Sequence, residues 1–443
     1  MPAQESAASP WPTDLSAYCF EVPHSDDSLL FSSAKGVRLT DATGRSFLDA
    51  MSGVFVSCFG YDCEPIAQAV QQQLHTMPFN PPLHGANQAA LDLARALVDL
   101  APEGITAAKL VNGGSESIEA AIRLARLYHR SHGRPDKVKV LSHYHGYHGA
   151  TFGSLTLTGR PDVSRFGPGL PGVVHVWPPD CLEEFWGVAP DRSAALAAEM
   201  IERTIEAEGA DSVAALVIEP VIHLRGMAIP SADYFARLRD ICDRHDILLV
   251  FDEIVTGFGR TGQPFAAQTF GVTPDLMCVG KGISGGYAPL AAVLIGERIA
   301  AVLGDADGAR AFAPSHTYAA NPMASAAGLA AVTLFNDGDY LTKVRELAQY
   351  IEPRLRQLVA GRGTLRAIGL LYGAKLADAD ADDGGQGPIG ERVARACLRR
   401  GLILRGQDDW FVLAPAFVTT RAEADEALGI LGEALDEVCG AAR

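Results

Sequence analysis

The chain has 443 residues, 48% of them hydrophobic and 20% charged, ordinary proportions for a folded globular protein and too apolar for global disorder. At roughly 100–200 residues per domain, the length fits one large α/β unit with a smaller companion. A formal net charge of −16 argues against nucleic-acid binding, which needs a basic face to neutralise phosphates.

Residues 1–27 are polar and rich in Pro and Ala, and read as a loose arm. Their first stretch, MPAQESAASPWPTDLSAY, has neither the basic region nor the apolar region of a secretory signal. Two short strand-like runs follow, at 37–39 and 46–48, separated by the turn-forming Asp41-Ala-Thr-Gly44. From about residue 60 to 330, amphipathic helical stretches alternate with β-rich runs at 137–141, 173–176, 214–218, 247–251 and 276–279. Alternation of this kind predicts βα units around a mainly parallel sheet. After 330 the texture changes to a helix over 341–359, a strand pair and a closing helix over 421–438, a second and smaller domain joined by the N-terminal segment. No apolar run reaches the roughly 18 residues that would span a bilayer. The richest, 319–335, contains Asn321, Pro322 and Ser325. The eight cysteines, at 19, 58, 63, 181, 242, 278, 397 and 439, include no C-x-x-C pair, which suits reduced thiols in a cytosol better than a disulfide framework.

Three polar residues stand at or just past the ends of strand-like runs. Glu219 follows Ala-Ala-Leu-Val-Ile, Asp252 follows Ile-Leu-Leu-Val-Phe, and Lys281 comes just after Leu-Met-Cys-Val-Gly. Ligands of open α/β sheets bind outside the carboxyl ends of strands, so three such residues in one register point to a site. Against this stands the plain alternative that strands end where polar loops begin. In Val111-Asn-Gly-Gly-Ser-Glu-Ser-Ile-Glu119, Ser115 is a candidate N-cap. Ile118, Ala121, Ile122 and Ala125 recur at helical spacing, so a helix starts here. A Gly-Gly-Ser turn feeding a helix offers free N–H groups to a phosphate.

Several lookalikes weigh less. Gly257-Phe-Gly-Arg-Thr-Gly262 matches G-x-G-x-x-G, but residues 252–256 intervene between the strand and the motif. Gly280-Lys281 fails as a P-loop, because the first glycine would fall at Asp275 and Gly282 stands where Ser or Thr is needed. Gly282-Ile-Ser-Gly-Gly286 matches the serine-hydrolase elbow, with Ser284 as nucleophile, His316 as base and Asp305 or Asp307 between them. His143, His145 and His148 are spaced closely enough to suggest metal. Tyr144 and Tyr147 alternate with them, however, and an aromatic active-site loop is the better reading. The Asp- and Gly-rich stretch 378–387 reads as a solvated loop. Counted as a calcium loop from Asp378, it has Asp383 in place of the needed Gly and Ile389 in place of the needed Glu.

Together these segments resemble the class III aminotransferases, pyridoxal-phosphate (PLP) enzymes of fold type I, and within them the omega-transaminases. The most specific part is Phe251-Asp-Glu-Ile-Val-Thr-Gly-Phe-Gly-Arg-Thr-Gly262, then Pro274-Asp-Leu and Lys281-Gly-Ile-Ser-Gly-Gly. Asn-Gly-Gly-Ser-Glu-Ser, Tyr147-His-Gly, Glu219-Pro and His316-Thr-Tyr-Ala-Ala-Asn-Pro322 follow the expected order. The resemblance implies an α/β fold: a large PLP-binding domain with a mainly parallel sheet (59–330) and a smaller domain built from residues 1–58 and 331–443.

It also implies roles. Lys281 forms the Schiff base with PLP, and Asp252 pairs with the ring nitrogen. Tyr147 and Ile254 sandwich the ring, Gly114 and Ser115 hold the phosphate, and Glu219 lies at the cofactor. Thr317 reaches the phosphate of a neighbouring subunit, so a homodimer, or a tetramer formed by two such dimers, is expected. Arg405 grips a substrate carboxylate; when the substrate has none, it has to swing out or find an anion, Glu219 being one candidate. Implied partners are an amine or omega-amino acid donor and a keto acid such as pyruvate; racemases, aminomutases and decarboxylases share the scaffold. Two departures bear on the pocket. Ile222-His-Leu-Arg-Gly226 replaces a glycine-rich stretch, so that His223 and Arg225 could reshape the entrance or bind an anion. Phe55 stands where some relatives have Trp, a smaller aromatic expected to widen the substrate pocket.

Overall fold

The structure, a computed structural model, describes residues 29–304, 316–377 and 387–440. The loop reading of 378–387, the aspartates at 305 and 307, and the N-terminal arm therefore lie largely or wholly outside the described residues.

Three strands open the chain: β1 (Phe31–Lys35), β2 (Arg38–Asp41) and β3 (Ser46–Asp49). Seven form the large sheet: β4 (Ile105–Val111), β5 (Lys139–His143), β6 (Val173–Val176), β7 (Val213–Ile218), β8 (Leu248–Asp252), β9 (Leu276–Val279) and β10 (Ala291–Gly296), in the order β4-β10-β9-β8-β7-β5-β6. Five more follow: β11 (Gly363–Ile368), β12 (Leu371–Leu376), β13 (Leu402–Ile403), β14 (Arg405–Gln407) and β15 (Trp410–Leu413). In the large sheet β10 runs antiparallel to both β4 and β9, and the remaining pairings are parallel. Every residue of β7, β8 and β9 is buried, as expected when helices cover both faces of a parallel sheet.

The register aligns the carboxyl ends that matter. Ile218 sits opposite Phe251, and Asp252 opposite Cys278. Glu219, Asp252 and Lys281 therefore leave the sheet along one edge. The helix over the Asn-Gly-Gly-Ser turn spans Gly114–Ser131 and buries Ile118, Ala121, Ile122 and Ala125, as their spacing predicts. Its N-cap is Gly113, in extended conformation, rather than Ser115. The Ser115 hydroxyl lies inside the first turn and accepts the Ala150 N–H instead (3.0 Å).

The smaller sheets join the two ends of the chain. β13 pairs in parallel with β3 (Leu402 opposite Leu48), extending the β1-β2-β3 meander, while β11, β12, β15 and β14 form a second four-stranded sheet. The C-terminal part is thus richer than a strand pair between helices.

The G-x-G-x-x-G look-alike serves this junction. Phe258 (φ 56°), Gly259 (φ 97°) and Gly262 (φ 85°) curl the chain, and a Cβ on Gly259 would lie 2.7 Å from the Phe335 ring. The curl delivers Arg260, buried at 1% exposure, to the carbonyls of Ala414 (3.3 Å) and Pro415 (2.7 Å), with its guanidinium 5.0 Å from the Phe417 ring centre. Replacing Arg260 with Ala strands two buried carbonyls and opens a cavity. We expect it to cost about 3 kcal/mol, read as a lowered urea midpoint with an unchanged slope.

Candidate active site

A cavity at the carboxyl edge of the large sheet is lined by Gly114, Ser115, Tyr147, Glu219, Asp252, Ile254 and Lys281, together with His148 and His223. Seven of the eight residues that the resemblance assigns to the cofactor thus meet in one place. Arg405 is not among the lining residues, although its charge helps to lower the pKa of the Lys281 amine. Phe55 and Thr317 lie outside the lining. Thr317 is exposed in the turn that precedes the helix Pro322–Asp337, and Phe55 is buried behind His223.

One end of the cavity suits an anion. The first turn of the helix Gly114–Ser131 leaves N–H groups without intrahelical partners. The neighbouring glycines keep the space open: a Cβ on Gly149 would stand 2.4 Å from Ser115 Oγ, and one on Gly114 would stand 2.7 Å from Ile254 Cδ1.

The acid end is built by β8. Asp252, 4% exposed, accepts the Ile254 N–H on Oδ1 (3.2 Å) and the His148 Nδ1–H on Oδ2 (2.8 Å). The carboxylate fixes the proton on Nδ1, leaving the buried His148 Nε2 without a hydrogen-bond partner among the described residues. Burial opposes a charge on His148. The hydrogen bond and charge of Asp252, aided by Glu219, outweigh it and raise the imidazole above its ordinary range.

Lys281 follows β9 in a short turn at φ 46°, a left-handed conformation that an ordinary side chain adopts at some cost. Its side chain has no hydrogen bond or ion pair among the described residues; its amine lies 6.0 Å from the Phe55 ring centre. Burial lowers its pKa, Asp252 and Glu219 oppose that shift, and Arg405 adds to it; the net direction is downward. A buried amine held below the usual lysine range is a nucleophile and a proton acceptor.

Glu219 is fully committed. Its Oε1 takes the His223 Nδ1–H (2.5 Å) and its Oε2 the Tyr147 N–H (2.8 Å). Burial pushes this carboxyl up. The charge and hydrogen bond of His223, with His148 and the Tyr147 amide, pull it lower overall. No ion pair joins Glu219 to Arg405 among the described residues. That guanidinium meets Gln407 Oε1 (3.3 Å) and the Trp410 ring (5.9 Å), and no carboxylate among the described residues pairs with it. Arg225 is not a free anion contact either, since Asp180 and Glu184 hold it and the Phe185 ring covers it.

Phe55 is presented by an unusual turn. Ser52, Gly53, Val54 and Phe55 all have φ between 46° and 69°, a left-handed run that costs energy at a β-branched residue such as Val54. Asp49 holds it, accepting the N–H groups of Met51 (2.8 Å) and Gly53 (2.6 Å) and the Tyr61 hydroxyl (2.6 Å).

The competing readings fall apart geometrically. Ser284 is buried and donates its hydroxyl to the Ala288 carbonyl (2.7 Å), while His316 meets Asn112 (3.2 Å) and Glu116 (3.1 Å). No hydrogen bond joins the two among the described residues. The three loop histidines diverge: His143 bonds the Tyr234 hydroxyl (2.8 Å), His145 packs on Trp177, and only His148 turns to the acid. The pairing of His148 with Asp252 was not foreseen. It brings together a loop and a strand end 104 residues apart, which local spacing does not reveal.

PLP presents a phosphate at one end, a ring nitrogen that binds a carboxylate, and an aldehyde that binds an amine. An open helix N-terminus, a buried aspartate and an unpaired buried lysine converge here on one cavity, so these residues fit that group.

The comparisons agree. A family model described as aminotransferase class-III matches residues 21–435. The chain is 31% identical to the putrescine–pyruvate aminotransferase of Pseudomonas aeruginosa, over 93% of this chain and 91% of that one. It is 33% identical to the omega-aminotransferase of Caulobacter vibrioides, over 92% and 94%. Among solved structures, the PMP-bound aminotransferase from Vibrio fluvialis superposes with a TM-score of 0.87 at 29% identity, covering 94% of each chain. A thermostable omega transaminase from Pseudomonas jessenii gives 0.89 at 27% identity, covering 98% of this chain and 97% of that one.

The His148–Asp252 pair has a pH signature. A raised imidazole contributes stability that is complete below the unfolded histidine value, about 6.5, and is lost as pH rises through the folded value. We expect NMR of the cofactor-free protein to place the His148 midpoint above that unfolded value, and Asp252→Asn to bring it below.

Proposed function

The chain belongs to the class III aminotransferases, PLP-dependent enzymes of fold type I, and we propose that it moves the amino group of a primary amine or omega-amino acid to a small keto acid such as pyruvate. The observation that carries this reading is the arrival of Lys281 and Asp252 from adjacent parallel strands in one cavity beside an open helix N-terminus. Relatives that bear the names putrescine–pyruvate and omega-amino acid–pyruvate aminotransferase support the choice of donor and acceptor.

In this reading Lys281 is the covalent anchor for PLP, and Asp252, oriented by His148, faces the ring nitrogen. Tyr147 and Ile254 flank the ring, Gly114 and Ser115 receive the phosphate, and Glu219 borders the cofactor. When bound, PLP supplies an electron sink for the bonding electrons released at the substrate carbon. The protein supplies the proton transfers. Lys281 Nζ, its pKa lowered by burial, takes the proton from the amine-bearing carbon of the donor. In the second half of the cycle it returns a proton to the carbonyl carbon of the acceptor. Arg405 binds the acceptor carboxylate in a planar fork that lysine cannot offer.

Thr317, exposed in a single chain, would complete the phosphate site of a neighbouring copy, which makes the working unit a homodimer. We read residues 59–330 as the large domain, with 1–58 and 331–443 contributing the arm and the small domain. The described cysteines are unpaired, and no described helix is long and apolar enough to cross a membrane. The unpaired thiols suit a reducing compartment such as the cytosol.

The test is alanine formation from pyruvate and a primary amine or β-alanine. A racemase would instead invert its substrate and release no keto product. Lys281→Ala should abolish the visible absorption of bound cofactor and lower turnover at least about a thousandfold. Asp252→Asn should keep the absorption and lower turnover about a hundredfold. Full activity in the Lys281 variant would overturn the assignment.

A further inference from the structure

A second cavity, of ≈ 20 Å³, shares no residue with the one around Lys281. It is lined by residues of the helices Tyr340–Val359 and Arg421–Cys439 and of the strands β3, β12 and β15. Ile351, Leu413 and Leu428 are its apolar walls, and all three are buried. A small cavity with such walls alone stays dry.

Two hydroxyls make this one different. Tyr372 is 0% exposed, and its hydroxyl has no hydrogen-bond partner among the described residues. Thr419 Oγ1 is buried and equally without a partner there. Both residues line the cavity. Both are also held in place. Tyr372 lies between two strands, opposite Ala367 of β11 and Leu413 of β15. Thr419 donates its N–H to the Ala416 carbonyl and directly precedes Thr420, the cap of the last helix. Burial raises the pKa of the phenol, so Tyr372 stays protonated and remains a donor. A buried hydroxyl without a partner forfeits the hydrogen bonds it made to solvent in the unfolded chain. One water needs roughly 10–15 Å³, which the space between these hydroxyls provides.

We propose that this cavity is a binding site for a single water molecule that bridges Tyr372 and Thr419. The water accepts the O–H of each residue. Its own proton goes to Asp49, the third polar group that bears on the site. Asp49 Oδ2 is filled by the Gly53 N–H and the Tyr61 hydroxyl, whereas Oδ1 accepts only the Met51 N–H among the described residues and keeps a lone pair. Glu423 also lines the cavity, but its Oε2 is engaged by the Thr420 N–H and hydroxyl (2.8 Å each). Asp49 holds the left-handed run 52–55, so the water ties β12 and the entry to the last helix to the support of Phe55.

The test uses the PLP-loaded enzyme at fixed protein and cofactor concentrations. Tyr372→Phe and Thr419→Val each remove one hydroxyl and keep the shape of the side chain. With the water in place, each should lower the urea midpoint by about 0.3 M with an unchanged slope. The double variant should fall by clearly less than the sum, because both changes dismantle the same bridge. Thr419→Ser, which keeps the hydroxyl, should retain the water. A crystal structure that resolves ordered solvent should show one water within roughly 2.6–3.2 Å of both hydroxyls, and should lack it in the double variant. Midpoints that stay level or rise in the single variants would mark a dry cavity, since loss of an unpartnered hydroxyl is then neutral or stabilising. That result, strictly additive losses, or a crystal structure without solvent density at the site would each overturn the proposal.

Discussion

Two acids and a lysine share one cavity, and the proposed chemistry depends on the acids not pairing with the amine. Asp252 next to an unshielded lysine would lock the amine as an ammonium. The structure gives each acid its own histidine: His148 on Asp252 and His223 on Glu219. Lys281 is thereby left with no carboxylate partner among the described residues, as an amine proposed to hold the cofactor has to be. Buried charges without partners are costly, so this arrangement has to be imposed by the surrounding fold. The parallel sheet imposes it by bringing β7, β8 and β9 to an end in register.

The surrounding backbone is shaped for the same end. Lys281 and the run 52–55 adopt left-handed conformations, and the glycines at 114 and 149 leave the anion end free of Cβ atoms. Strain of this kind persists only where neighbours over-determine it, as Asp49 does for the turn that carries Phe55. Arg260 plays the equivalent part at the domain junction. It lies within the most family-specific motif of the sequence yet touches carbonyls of the C-terminal segment rather than the cavity.

Much of this was legible in the sequence, for identifiable reasons. Strands buried on both faces write themselves as apolar runs, so 214–218 and 276–279 fall on the observed strands β7 and β9, and the ends at Glu219, Asp252 and Lys281 could be read directly. β4 and β10 escaped notice because Ala-rich stretches such as Ile-Thr-Ala-Ala-Lys-Leu-Val have weak strand signatures and gain their conformation from pairing with each other. The Ser115 N-cap failed because a tertiary hydrogen bond from Ala150 claimed its hydroxyl. The pairing of Glu219 with His223 was not legible, because His223 comes from a turn whose shape depends on distant Asp180 and Glu184. Spacing reveals which residues share an element; it does not reveal how polar partners are shared out among elements.

The account stands on one bond, between the amine of Lys281 and the aldehyde of PLP. Reduction of the PLP-loaded enzyme with borohydride, followed by digestion and peptide mapping, tests it directly. A single phosphopyridoxyl label on Lys281 is the expected result. A label on any other lysine, or a protein left unlabelled, would contradict the account.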